Sequence, residues 1–258
     1  MLRIDLNADV GESFGPWPMG DDAALMPSLT SANIACGLHA GDPGVMRRTL
    51  QLARTHGVAV GAHPGFPDLQ GFGRRDMRLS PQEVEDLVLY QVGALAGIAA
   101  AEGMRLQHVK PHGALYNMAA REAPLAAAIA RAVAAIDRSL VLFGLPGSAL
   151  LAEGERAGLR VAAEIFADRS YEADGSLTPR HRPGSVISDP SVVVERAVAM
   201  VTTRTVVAAT GEQVALQADT LCLHGDTPGA AELARRLRAA LESRGVLVVA
   251  VGTKRTEL

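Results

Sequence analysis

The chain has 258 residues, 48% of them hydrophobic and 21% charged, with a formal net charge of −3. That balance excludes an intrinsically disordered chain, and the length allows a substantial core without disulfides or structural metals. No bulk positive field exists to hold nucleic acid or an anionic membrane. Two cysteines, Cys36 and Cys222, cannot make a disulfide framework and suit a reducing compartment. Asp5, Asp9 and Glu12 stand where a signal peptide needs an apolar run, and the Ala-rich stretch 92–101 is too short to cross a bilayer. A cytoplasmic protein is expected, with one domain over residues 1–252 and a tail at 253–258.

Aromatics are only 3% and Ala, Val and Leu abound, which favours layered aliphatic packing. In chain order, β-prone apolar runs at 3–6 and 32–36 come first. Asp42-Pro43 then opens a helix that runs to Gly57. A strand at 58–60 follows, and Ser80-Pro81 opens a helix to Gly103 with Glu83 completing a capping box. Strand runs recur at 108–110, 140–143 and 161–165, and Asp189-Pro190 opens another helix. Residues 205–207 and 214–216 around Gly211 read as a hairpin. A strand at 221–223, a helix from Thr227-Pro228 to near Gly245, and a run at 246–251 close the chain. Continuous apolar runs of this length fit strands buried on both faces. Strand–helix alternation implies parallel strands with helical crossovers. An open doubly wound sheet and a closed barrel both fit; length and the spread of polar strand ends favour a barrel of seven or eight strands. Two segments break the rhythm, 64–79 and 168–188, both too rich in Gly, Pro and Arg for regular structure and both suited to lids or binding loops.

Polar residues cluster at the ends of the apolar runs: Asp5, Asn7 and Asp9; Asn33, Cys36 and His39; His63; Lys110 and His112; Glu164, Asp168 and Arg169; His224 and Asp226. In a parallel barrel those ends share one face, the face that carries the active site. His39, His63, His112 and His224 each have a Gly within two residues on the C-terminal side, which permits tight turns and close approach of a ligand. Neutral imidazoles there can accept a proton or bind a metal. His56, at a helix end, needs only a dipole-complementing role, and His181 in the long loop has no assigned role.

Asp5 and Asn7 share one side of a strand, with Asp9 just beyond it; they read either as caps and turn formers or as a metal or acid–base group. Lys110 and Lys254 are the only lysines. Lys110 suits an anchor for a substrate anion better than a Schiff-base nucleophile. Cys36 reads as a buried structural thiol rather than a nucleophile. Arg74, Arg75 and Arg169 are either surface charges or anion binders. No P-loop, GxGxxG turn, HExxH, GxSxG elbow or closed zinc spacing occurs.

The blocks DLNADVGE, SANIACGLHAGD, GAHPGFPD followed by GFGRR, VKPHGALYN, EIFADRSY and LCLHGD resemble the LamB/YcsF family. The resemblance runs from residue 2 to about 252 and takes in six motifs in order. It implies an irregular TIM-like (β/α) barrel of the glycoside hydrolase/deacetylase kind. It implies ATP-dependent hydrolysis of 5-oxoproline to glutamate, with subunits B and C as partners, ATP and Mg²⁺ as co-substrate, and no tightly bound organic cofactor. The motif residues are Asp5, Asn7, Asp9, His39, His63, Lys110, His112, Glu164, Asp168, Arg169, His224 and Asp226. By residue type, Asp9, His63, His112 and Lys110 are the catalytic candidates. Asn7, Asn33, His39, Glu164, Asp168, Arg169 and His224 are the substrate-binding candidates, and Asp5, Asp9, His39 and His63 the metal candidates. Two other readings stand beside this one: a metal-dependent amide hydrolase without ATP, such as a deacetylase, and a non-catalytic binding or regulatory subunit.

Overall fold

The computed structural model describes residues 1–180, 182–225 and 229–253. Strand β1 (Arg3–Val10) pairs in parallel with β2 (Ser31–Ala35), and the ladder continues through β3 (Ala59–His63), β4 (His108–Val109), β5 (Val141–Gly144), β6 (Arg160–Phe166) and β9 (Thr220–His224). Strand β9 also pairs with β1, with Asn7 opposite Cys222 and Asp9 opposite His224. Seven parallel strands therefore close a barrel, which decides against the open sheet. A short strand β10 (Leu247–Val248) joins the start of β1. The hairpin β7 (Thr205–Val207) and β8 (Gln213–Ala215) stands apart from the barrel.

The helices begin where their capping chemistry directs. Asp42 caps α2 (Pro43–His56) through the amides of Gly44 and Val45, and Ser80 and Glu83 form the capping box of α3 (Pro81–Ala101). Asp189 caps α7 (Pro190–Thr203), and His56 lies in the last turn of α2. Helix α8 (Ala230–Ser243) was expected from Thr227-Pro228, which lies outside the described residues, as do His181, Asp226 and the tail beyond Thr253. Four helices went unread in the sequence: α1 (Asp22–Leu25), α4 (Gly113–Ala119), α5 (Ala123–Ile136) and α6 (Ala149–Arg156). Helix α3 is apolar and long enough, by length and composition, to cross a membrane. In the fold it buries Val84, Val88, Val92, Leu95 and Ala99 and packs against α5.

The main apolar core lies between barrel and helices. Along β1, Ile4, Leu6, Ala8 and Val10 join that core, while Asp5, Asn7 and Asp9 alternate with them and face inward. Asp9 is therefore inside the strand, not beyond it, and none of the three is a turn former. The interior is a stack of polar groups. Asp5 accepts from Thr30 (2.6 Å), Ser31 (2.7 Å) and Thr220 (2.5 Å). Above it, Asn7 donates to Thr220 and to Glu164 Oε1, and Asn33 Nδ2 reaches Asn7 Oδ1 and Asp9 Oδ1. His108 stacks on Phe143 and donates from Nε2 to Asn33 Oδ1 at 2.7 Å. Burial holds the His108 ring neutral, pulling its pKa down to about 3. At the far end Val251 packs on Val141, Phe143 and Ala162. Hydrogen-bonded polar layers fill much of the interior, partnered from strand to strand, with Glu164 Oε2 left without a hydrogen bond among the described residues.

The segment 168–188 is better ordered than its composition suggested. Bridges pair Arg169 with Val186 and Tyr171 with Leu177. Arg169 donates to the carbonyls of Ser185 and Thr178, and the Tyr171 hydroxyl accepts from the amide of Phe166.

Candidate active site at the carboxyl ends of the strands

A cavity of about 560 Å³ opens at this end of the barrel, within the range of small-molecule sites. Asp9, His63, Lys110 and His112 line its floor, with Tyr116 and Phe166 beside them. Arg74, Arg121, Arg169, Arg180 and His224 lie around it with Asp76 and Glu122, leaving a net cationic rim suited to anionic groups. Of the predicted site residues, Asp9, His63, Lys110, His112, Arg169 and His224 reach this cavity.

Strand geometry delivers these groups. Asp9 ends the inward row of β1, His63 ends β3, and Lys110 follows β4 on the same side as His108. The Lys110 Nζ lies 2.7 Å from Asp9 Oδ1, 3.1 Å from Glu164 Oε1 and 2.9 Å from Cys222 Sγ. It donates hydrogen bonds to Asp9 and Cys222, and Glu164 completes its ion pairing. Burial would lower its pKa, but Asp9, Cys222 and Glu164 outweigh this and hold the ammonium charged. The expected role as an anchor for a substrate anion does not fit a cation already enclosed by two carboxylates. Burial would likewise raise the Asp9 carboxyl, yet His63 and Lys110 keep it well below the usual range. Asp9 is thus an ionised carboxylate at the cavity floor.

The histidines are held by backbone carbonyls. His63 donates from Nδ1 to the Lys110 carbonyl at 2.7 Å, which leaves Nε2 facing Asp9 Oδ2 at 3.3 Å. His112 donates from Nε2 to the Phe72 carbonyl at 2.8 Å, and its Nδ1 lies 2.9 Å from His63 Nε2. Phe72 has φ +53, a conformation few side chains adopt, and this turns its carbonyl onto His112. Gly73 follows at φ +62, where an added Cβ would sit 2.9 Å from both His112 and His39. The His39 ring stacks on His112 at 3.9 Å between centroids. Burial, His63 and Arg74 hold the His39 imidazole well below the ordinary histidine range, against the pull of Asp9. Burial and the neighbouring His39 and His63 do the same to His112.

Other expected residues lie beneath the floor, behind the rim or are already engaged. Asn7, Asn33, His39 and Glu164 are fully buried beneath the floor and support it rather than line it. Asp168 is behind His224, accepting from its Nδ1 at 2.6 Å, and Arg180 lies 2.8 Å from His224 Nε2. Arg169 spends Nε and Nη2 on loop carbonyls, so it organises the 168–188 segment. Arg75 pairs with Asp68 at the surface, and Arg74 stands over the Phe72 ring. Burial pushes the Cys36 thiol up to about 12, which removes it as a nucleophile.

The metal expectation needs revision. Asp5 is four residues below Asp9, about 13 Å along the strand, and its oxygens are bound to hydroxyls. Glu12 takes its place. Gly11, at φ +66, turns the chain after β1, and Glu12 comes to lie with His39, His63 and His112. One ligand atom from each of the four falls within 4.8 Å of the others. DVGE was visible in the sequence, but the inward turn at Gly11 was not.

Residues 4–256 match the LamB/YcsF family. The chain belongs to that family. A LamB/YcsF relative from Tolumonas auensis, named as a 5-oxoprolinase subunit, is 59% identical over 251 residues, 97% of this chain and 100% of that one. The crystal structure titled lactam utilization protein, from Thermus thermophilus, superposes with a TM-score of 0.92 at 53% identity, covering 96% of this chain and 100% of that one. The catalytic domain of a peptidoglycan N-acetylglucosamine deacetylase from Eubacterium rectale matches with a TM-score of 0.52 at 10% identity, over 99% of this chain and 91% of that one. That last likeness concerns the fold alone, and it agrees with the deacetylase-like barrel expected for a LamB/YcsF chain.

Proposed function

We propose that this chain is the lactam-opening subunit of an ATP-dependent 5-oxoprolinase, converting 5-oxoproline to glutamate in a complex with subunits B and C in the cytoplasm. The observation that carries the reading is the 59% identity, over nearly the full length of both chains, to a protein named as a 5-oxoprolinase subunit. The cavity supports it, because an ionised carboxylate on the floor faces a cationic rim.

A five-membered lactam is an unactivated amide. Phosphoryl transfer from ATP to its oxygen, with Mg²⁺ on the phosphates, makes the carbonyl carbon electrophilic. Asp9 takes a proton from the attacking water, and the adduct expels the ring nitrogen, which receives that proton. The product of this step is an acyl phosphate, and a second water releases glutamate and phosphate. Lys110 keeps Asp9 ionised, and the rim arginines Arg74, Arg121 and Arg180 receive the carboxylate and phosphate charges.

The described chain offers no P-loop or GxGxxG cradle, so partner chains complete the ATP site. The test is glutamate release and ADP formation from 5-oxoproline by the chain alone and with both partners. The chain alone gives neither product, and the mixture gives both in equal amounts. A second reading, metal-dependent amide hydrolysis without ATP, is favoured by the Glu12–histidine cluster. Glutamate release in the absence of ATP would establish it instead.

A further inference from the structure

We propose that Glu12, His39, His63 and His112 form a binding site for one divalent transition-metal ion of the zinc class, directly beneath the cavity floor. The inference does not depend on the 5-oxoproline reading, because the site is defined by this chain's own donors.

Three observations carry it. First, the ring nitrogens are arranged to present lone pairs. His63 Nδ1 and His112 Nε2 both donate to backbone carbonyls, of Lys110 and Phe72. Carbonyl contacts of this kind orient metal-binding imidazoles and fix the tautomer. With both rings neutral, the other two nitrogens, His63 Nε2 and His112 Nδ1, are both acceptors, and they face each other at 2.9 Å. Two lone pairs at that distance repel unless a shared proton or a metal ion lies between them.

Second, His39 is fully buried and neither of its ring nitrogens has a hydrogen-bond partner among the described residues. A buried imidazole with two unmet groups is costly, and a metal bond would satisfy one of them. The His39 ring stacks on His112, so its nitrogen reaches a shared ion by tilting. No hydrogen bond from the ring nitrogens to a described residue resists that tilt.

Third, the spacing is right. Four ligands about 2.0–2.1 Å from a tetrahedral ion lie about 3.3 Å from one another. Glu12 Oε1 is 3.7 Å from His112 Nδ1 and 3.9 Å from His39 Nε2, the histidine pair is at 2.9 Å, and the four atoms together lie within 4.8 Å, so the set closes in by about 1 Å around a shared ion. Three imidazoles and one carboxylate suit zinc, cobalt or iron(II) better than magnesium, which prefers an all-oxygen shell. His63 and His112 line the cavity, so the site has an entry path. Asp9 Oδ2, 3.3 Å from His63 Nε2, stands beside the site and can accept a proton from water held there.

The test uses the full chain, stripped with chelator and titrated with Co²⁺ and Zn²⁺. Cobalt absorption in the visible reports ligand geometry, and calorimetry reports stoichiometry. One equivalent should bind, with a tetrahedral cobalt spectrum that zinc abolishes. His39→Gln and Glu12→Gln should each weaken binding by about 100-fold or more, at least the loss expected of a supporting residue. Asp5→Asn should bind like the parent chain. Anomalous diffraction at the zinc edge from the unmutated protein locates the ion without relying on any variant. Absence of a saturable site, density elsewhere, or unchanged binding in a folded His39→Gln chain would overturn the inference. The binding readouts involve neither ATP nor 5-oxoproline, so the site can fail while the proposed activity stands, and the reverse.

Discussion

Lys110→Met is the most informative perturbation of the barrel interior. Lys110 is the only lysine among the described residues and is 2% exposed. Its Nζ is 2.7 Å from Asp9 and 3.1 Å from Glu164. At an effective dielectric near 20 those contacts are worth about 6 and 5 kcal/mol before desolvation. The net effect is smaller, because burying the ammonium already opposes it. Removing one member of a buried ion pair destabilises by about 3–5 kcal/mol, since the remaining charge is left uncompensated. Methionine keeps the apolar stem, so lost packing contributes little. Lys110→Met should therefore lose about 3–5 kcal/mol in urea unfolding followed by circular dichroism, with the slope unchanged. Adding Glu164→Gln should recover about half, because Asn7 Nδ2 can still donate to the new amide oxygen and only Asp9 stays uncompensated. A loss below about 1 kcal/mol in the single variant, or no recovery in the double, would refute the charge-balance reasoning.

The remaining predictions concern the same polar column. Gly61→Ala would place a Cβ 2.2 Å from the His108 ring, and should destabilise by about 1–3 kcal/mol in thermal or urea unfolding. His108 has a folded pKa near 3, so between about pH 6.5 and 3 the unfolded chain binds the extra proton and stability falls as pH falls, by about 1.4 kcal/mol per unit. His108→Gln should flatten that limb in urea titrations at successive pH values. Burial raises Asp5 to about 6, the opposite case: the folded chain holds the proton longer, and stability falls as pH rises from about 4 to 6. Asp5→Asn should gain on the parent chain over that interval and by no more than about 3 kcal/mol, measured in the same titrations.

The strands were legible because apolar runs end at glycines and polar groups, and the structure places each within a few residues of its expected limits. Helices α2, α3 and α7 announce themselves through Asp-Pro and Ser-Pro caps. Helix α5 does not: Glu122 makes no side-chain cap, and the Ala-rich segment lacks a polar start. Helix α4 begins at His112-Gly113, where the residues read as a binding loop. Within the site, convergence of Asp9, His63, Lys110 and His112 follows from their places at strand ends. Depth along the barrel does not follow, and this is why Asp5 was set among the metal candidates while Glu12 was not. Nor does a linear sequence show that Asn7, Asn33 and Glu164 satisfy one another across β1, β2 and β6 instead of meeting substrate.

Turnover by Asp9→Asn, in the complex assembled with both partners, decides whether the lactam opens in this cavity. Asp9 lines the cavity floor and is the group held ionised to accept the proton. Glutamate release from 5-oxoproline should fall by on the order of 10²-fold or more, the usual effect of losing a positioned base, while complex assembly is retained. Full turnover by Asp9→Asn would place the lactam chemistry outside this cavity and leave the chain a binding or regulatory role.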